Sequence, residues 1–188
     1  MKSKAYRGTA VNRVEAQKVS EGHAGEALTV GLDIGKYRIA AVGRWASGAF
    51  ERPWLVDNPQ QLSALLSLLE DLRRQHALVV ALEPSGTYGD PVRQALTDRG
   101  LTVLRVSPKA AHDYAEVFDG VPSQHDGKDA AVVAELAALG KATSWPYVAA
   151  ARFWRVSGKV LAGVWSRFRF RHFRAEHPVD IYPITVMG

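Results

Sequence analysis

Cysteine is absent from the 188 residues, which excludes disulfides, thiolate metal sites and a cysteine nucleophile. Also lacking is any apolar run of the roughly 20 residues that a membrane-crossing helix needs. The opening stretch MKSKAYRGTAVNRVEAQKVSEGHAGEA holds no apolar segment fit to serve as a signal sequence. The expectation is a cytoplasmic protein with no membrane partner. The length suits one ordinary domain with a short appendage.

An excess of charge of either sign is missing from most of the chain. Residues 1–144 carry 17 basic and 17 acidic side chains. The whole excess of +5 therefore falls in residues 145–188, where Arg152, Arg155, Lys159, Arg167, Arg169, Arg171 and Arg174 face only Glu176 and Asp180. Phe153, Trp154, Trp165, Phe168, Phe170 and Phe173 stand among these charges. Such a composition can neutralise phosphates and stack on bases, with Arg152, Arg155, Arg167, Arg169 and Arg171 as candidate nucleic-acid contacts. Taken before any motif, the plainer reading is a solvated helix face whose aromatics pack on the body.

What is present is an alternation of strands and helices after a polar leader, residues 1–26, expected to be disordered. ALTVGLDIG (27–35) reads as a buried strand, KYRIAAVG (36–43) as its hairpin partner and FERPWLV (50–56) as a third strand weakened by Pro53. Leu62, Leu65, Leu66, Leu69 and Leu72 recur at helical spacing opposite Ser63, Glu70 and Arg74. ALVVALE is apolar without alternation, as in a central strand covered on both faces. The next helix is expected to take Asp90 as its cap and Pro91 as its first position, and to end at Gly100. LTVLRVS (101–107) is a fifth strand, Ser107-Pro108 opens another helix, and DGKDAAVVAELAALG (126–140) forms the last. Three strands joined directly, then strands alternating with helices, imply a mixed five-stranded sheet flanked by helices, the order of the ribonuclease H fold.

Acids stand where this order makes them expensive. Asp33 interrupts the apolar strand VGLDIG, and Glu83 ends the strand expected beside it. Asp126 and Asp129 are three apart on one helix, and Val132, Val133 and Leu136 continue the face of Asp129 towards the core. Four acids gathered at one sheet end repel unless a cation intervenes, and hard Mg²⁺ (or Mn²⁺) prefers such oxygen ligands. Two ions would suit in-line phosphoryl displacement. Each acid also has a plainer role. Asp126 and Asp129 suit a helix start, Glu83 an ordinary loop, and Asp33 a turn or the phosphate-facing acid of an actin-like kinase.

VGLDIGK (30–36), ALEPSGTYG (81–89), VSPK (106–109) and HDGKDA (125–130) together resemble the N-terminal domain of the DEDD transposases of the insertion sequence 110 type, relatives of the pilin-gene invertases. The resemblance covers about residues 28–147. It implies a Holliday-resolvase-like (RuvC-like) ribonuclease H fold whose Asp-Glu-Asp-Asp metal site is Asp33, Glu83, Asp126 and Asp129, holding two Mg²⁺ or Mn²⁺ ions. It further implies DNA as substrate, transposition or inversion as outcome, a structured noncoding guide RNA in many members, and homo-oligomers among full-length relatives. Lys36 and Lys128, inside the matching blocks, join the candidate nucleic-acid contacts.

Gln124-His125 replaces the Lys-Thr or Lys-Ser pair common in the family, and nothing in residues 148–188 matches the serine-bearing second domain of its members. The expectation is a RuvC-like domain over residues 27–147 and an atypical basic, aromatic tail over 148–188, from truncation or a frameshift. RFRFRHFR alternates as an edge strand with a basic face would, a reading that ranks below disorder. A catalytically inactive nucleic-acid-binding remnant is the second functional reading. Half of a sugar kinase ranks last, because its second phosphate-binding and adenosine-binding repeats are not visible.

Overall fold

The structure is a computed structural model that describes residues 8–118 and 126–148, with two short strands at 154–156 and 159–161. In chain order the elements are β1 (Thr9–Ala10), α1 (Ala16–Ser20), β2 (Leu28–Ile34), β3 (Arg38–Trp45), β4 (Trp54–Asp57) and α2 (Leu62–Arg73). There follow β5 (Leu78–Leu82), α3 (Gly89–Asp98), β6 (Thr102–Val106), α4 (Pro108–Ala115), α5 (Asp126–Ala138) and β7 (Ala142–Ser144), with 3-10 turns at Val11–Arg13 and Gly86–Tyr88. These belong to one unit, Met1–Ala149. In the second unit, Ala150–Gly188, β8 (Trp154–Val156) pairs antiparallel with β9 (Lys159–Leu161). The RFRFRHFR stretch lies outside the described residues.

The sheet has seven strands in the order β1-β4-β3-β2-β5-β6-β7. Its middle is the mixed arrangement expected: β2, β3 and β4 run antiparallel in sequence, and β2, β5 and β6 are parallel neighbours. The expected count of five is corrected by two edges, β1 parallel to β4 and β7 antiparallel to β6. Strands of two and three residues are too short to show a period, so only their partners reveal them.

Alternation along the strands divides the molecule into two layers. Leu28, Val30 and Leu32 of β2, Ile39, Ala41 and Trp45 of β3, and Leu78, Val80 and Leu82 of β5 share one core with the leucines of α2 and with Val92 and Leu96 of α3. The intervening residues face the other way, where Ala40, Val42, Ala81 and Val106 meet α4 and α5. Burial on both faces explains why β5 reads as an unbroken apolar run.

The leader departs from expectation, because from Thr9 onward it is built into the fold. Val11 and Val19 are buried in the larger core. His76, itself buried, donates from Nδ1 to the Glu26 carbonyl at 3.0 Å, while Nε2 meets the Ser20 hydroxyl at 2.9 Å. The His23 ring stacks on the buried Trp45 at 4.2 Å. A few isolated apolar residues have no period of their own, and they find their complement on the body. Asp90 is likewise not the cap of α3. The 3-10 turn runs straight into that helix through helical Tyr88, so Asp90 lies inside the first turn and pairs with Arg93 at 3.2 Å. Among the described residues no helix is long and apolar enough to cross a membrane.

Candidate active site

Two adjacent strands deliver the first two acids. β2 and β5 pair in parallel with Leu32 opposite Leu82, so the next residues, Asp33 and Glu83, follow side by side where that pairing ends. Alternation puts Asp33 on the side of Gly31 and Glu83 on the side of Ala81, the layer occupied by α5. A Pro84-Ser85-Gly86 turn follows Glu83 directly, and Gly86, at a φ of 59°, takes the left-handed conformation that favours glycine.

The third acid arrives on α5, and Gly31 is what admits that helix. A Cβ on Gly31 would lie 2.1 Å from the Ala130 carbonyl oxygen and 2.5 Å from the Ala134 nitrogen, so helix backbone rests directly on strand backbone. Ala130 and Ala134, both fully buried, keep the helix side of the contact equally small. The guanidinium of Arg44 on β3 pairs with the Glu135 carboxylate of α5, both side chains largely buried, which pins the helix across β2 and β3.

The electrostatics bind the three together. Glu83, half-buried, is raised from 4.5 to about 7, first by loss of water around the carboxylate, then by the negative charges of Asp33 and Asp129. Asp33 and Asp129 are themselves partly buried. Asp126 is the first residue of α5, with its side chain outside the described set. Among the described residues no group of three acids or histidines stands close enough to hold one metal ion. The donors in this set are carboxylate oxygens, the ligand type that hard divalent cations prefer.

The candidate nucleic-acid contacts fare differently. Lys36 is exposed in the β2–β3 turn, its Nζ 4.7 Å from the centre of the Tyr37 ring. Lys128, in the first turn of α5, is buried at 4% exposure. Arg152, Arg167, Arg169 and Arg171 lie outside the described residues, and Arg155 is described only as backbone in β8. Sequence reasoning missed Gly31 and the Arg44–Glu135 pair. A glycine inside an apolar strand signals close backbone approach, but no local signal joins Arg44 to Glu135, 91 residues apart.

A family model described as a transposase, of the DEDD insertion sequence 110 type, matches residues 30–149. That span takes in Asp33, Glu83, Asp126 and Asp129. No curated protein matches the chain.

Proposed function

The chain belongs to the DEDD transposase family, and from that premise we propose that it acts on DNA by metal-dependent phosphoryl transfer, with Asp33, Glu83, Asp126 and Asp129 as its metal-holding acids. The observation that carries the reading is the meeting of Asp33 and Glu83 on adjacent parallel strand ends, on the face where α5 brings Asp129. The strand order β4-β3-β2-β5-β6, with helices on both faces, supports a ribonuclease H-like, RuvC-like fold for this domain.

In this reading the four acids would hold two Mg²⁺ or Mn²⁺ ions, which when bound supply an activated attacking oxygen and neutralise charge at the scissile phosphate. The chain's own part is positional. β2 and β5 are paired to both sides up to Leu32 and Leu82, and Asp33 is paired further with Ala40 of β3, so the backbone leading to each acid is fixed in the sheet. Glu83, raised to about 7, is partly protonated in neutral solution and must lose that proton to become a ligand. DNA is the substrate, with a structured guide RNA and self-assembly carried over from the family as part of the proposal.

The test is thermal. Millimolar Mg²⁺ or Mn²⁺ should raise the melting temperature, and Asp33→Asn should abolish that rise. Metal-dependent nicking of duplex or branched DNA should disappear in Glu83→Gln, because an amide cannot replace a carboxylate as ligand. An unchanged melting curve across the metal titration would remove the metal site. Binding of DNA without any nicking would leave a nucleic-acid-binding protein.

A further inference from the structure

Two large exposed aromatic rings follow the two acid-bearing strands, and neither is needed by the core. Tyr37 lies four residues beyond Asp33 in the β2–β3 turn and is 72% exposed. Tyr88 lies five residues beyond Glu83, at the end of the 3-10 turn, and is 46% exposed. β2 and β5 are parallel neighbours in register, so both loops leave the sheet at the same end, directly after the acids.

Both rings are carried on braced turns. The Asn58 backbone N–H donates to the Tyr37 carbonyl at 2.9 Å, and its side-chain amide donates to the Gly35 carbonyl at 3.0 Å. The Gly35 N–H donates to the Arg38 carbonyl at 2.9 Å, which closes the turn. On the other loop the Ser85 hydroxyl oxygen sits 2.6 Å from where a Cβ on Gly89 would lie, so the turn before α3 closes tightly over a glycine. A ring held outward on a fixed turn loses little entropy when it stacks on a flat partner. The ammonium of Lys36 beside Tyr37 adds positive charge at the same rim.

We propose that Tyr37 and Tyr88 are positioning residues that stack on unpaired bases flanking the phosphate presented to the acids. The proposal rests on the phosphoryl-transfer reading above and deepens it. Two rings and a lysine on the loops that follow the acids match a nucleotide strand, with π-faces for bases and a cation for phosphate. A continuous duplex keeps its base faces stacked on one another and offers the rings nothing. The preferred substrate is therefore DNA unpaired next to the reacting phosphate.

The experiment compares the full chain, in Mg²⁺, on a forked DNA carrying 2-aminopurine in its unpaired arm beside the fork and on a continuous duplex of the same sequence. The wild type should bind the fork more tightly and quench the 2-aminopurine. Tyr37→Ala and Tyr88→Ala should each lose about tenfold in fork affinity, together with the quench, and keep duplex affinity. Tyr37→Phe and Tyr88→Phe should retain all three properties, since stacking needs the ring and not the hydroxyl. Wild-type fork binding and quenching in both alanine variants, or equal losses on fork and duplex, overturns the proposal. If the tyrosine variants change nothing while Asp33→Asn still abolishes the metal-induced rise in melting temperature, stacking alone is refuted. If the wild type gains no stability from metal and binds neither DNA, the functional reading falls and this proposal with it.

Discussion

At the scale of single residues, Glu83 makes the chemistry measurable without any substrate. Its carboxyl is raised from 4.5 to about 7 in the folded protein, by burial first and by Asp33 and Asp129 next. The native state therefore binds more protons than the unfolded chain between those values, and stability falls as pH rises through that window. Below pH 4.5 the penalty is absent; above about 7 it is complete. With an allowance for the solvent that reaches this half-buried group, Glu83→Gln should stabilise the metal-free protein by about 1–2 kcal/mol at pH 8 and change little at pH 4.5. Urea denaturation in the presence of a chelator reads both values, and equal stabilities of the two proteins at pH 8 would remove the repulsion argument. Saturating Mg²⁺ should reverse the order, because the ion favours the ionised acid that only the wild type has.

At the scale of elements, α5 is the part on which the site depends. Ala130, Ala131, Val132, Val133, Ala134, Leu136 and Ala137 are all buried, so the helix is enclosed by sheet and α4 on nearly every side. A helix buried on most of its faces has little solvent face to fix its rotation. Its setting comes from the close seat on Gly31 and from the Arg44–Glu135 pair. Gly31→Val should therefore cost about 3 kcal/mol in urea denaturation and remove metal-induced stabilisation as well, since the side chain would have to displace the Ala130 carbonyl. Wild-type stability in that variant would mean that α5 does not rest on β2. The leader is an element of the same kind, legible only through what it touches: His76 joins Ser20 and Glu26, far from it in sequence, to the body.

At the scale of the whole molecule, charge is divided between two units. Residues 1–144 are neutral overall, and the excess of +5 falls within residues 145–188, most of which form the second unit, Ala150–Gly188. If those basic side chains engage phosphate, removing residues 150–188 should weaken DNA binding and flatten its salt dependence. The slope of log affinity against log salt should become shallower by about 0.9 for each phosphate that is no longer neutralised. Parallel salt titrations of the two proteins check this, and identical slopes would assign the charge to solvated surface. The acids should keep their metal response in the shortened protein, because all four lie within Met1–Ala149.

Local pattern in the chain is enough to set the central five strands, the helices between them, and the delivery of Asp33 and Glu83 to neighbouring strands. Each of these is written in local periods: β5 apolar on every residue, α2 apolar at helical spacing, and an acid placed where such a run stops. Tertiary structure alone decided the edge strands β1 and β7, the docking of the leader, the burial of Lys128 and the outward pair Tyr37 and Tyr88. Helical spacing and the apolar stripe turned Asp129 towards the strand acids, the resemblance added the Asp-Glu-Asp-Asp set, and the structure brings Asp129 near Glu83 on a helix seated over a glycine of a different strand. A period records only which face of an element is buried. Which element buries it, how closely two backbones approach, and which side chains remain exposed are set by residues distant in the chain, whose positions become known only when the sheet and helices pack.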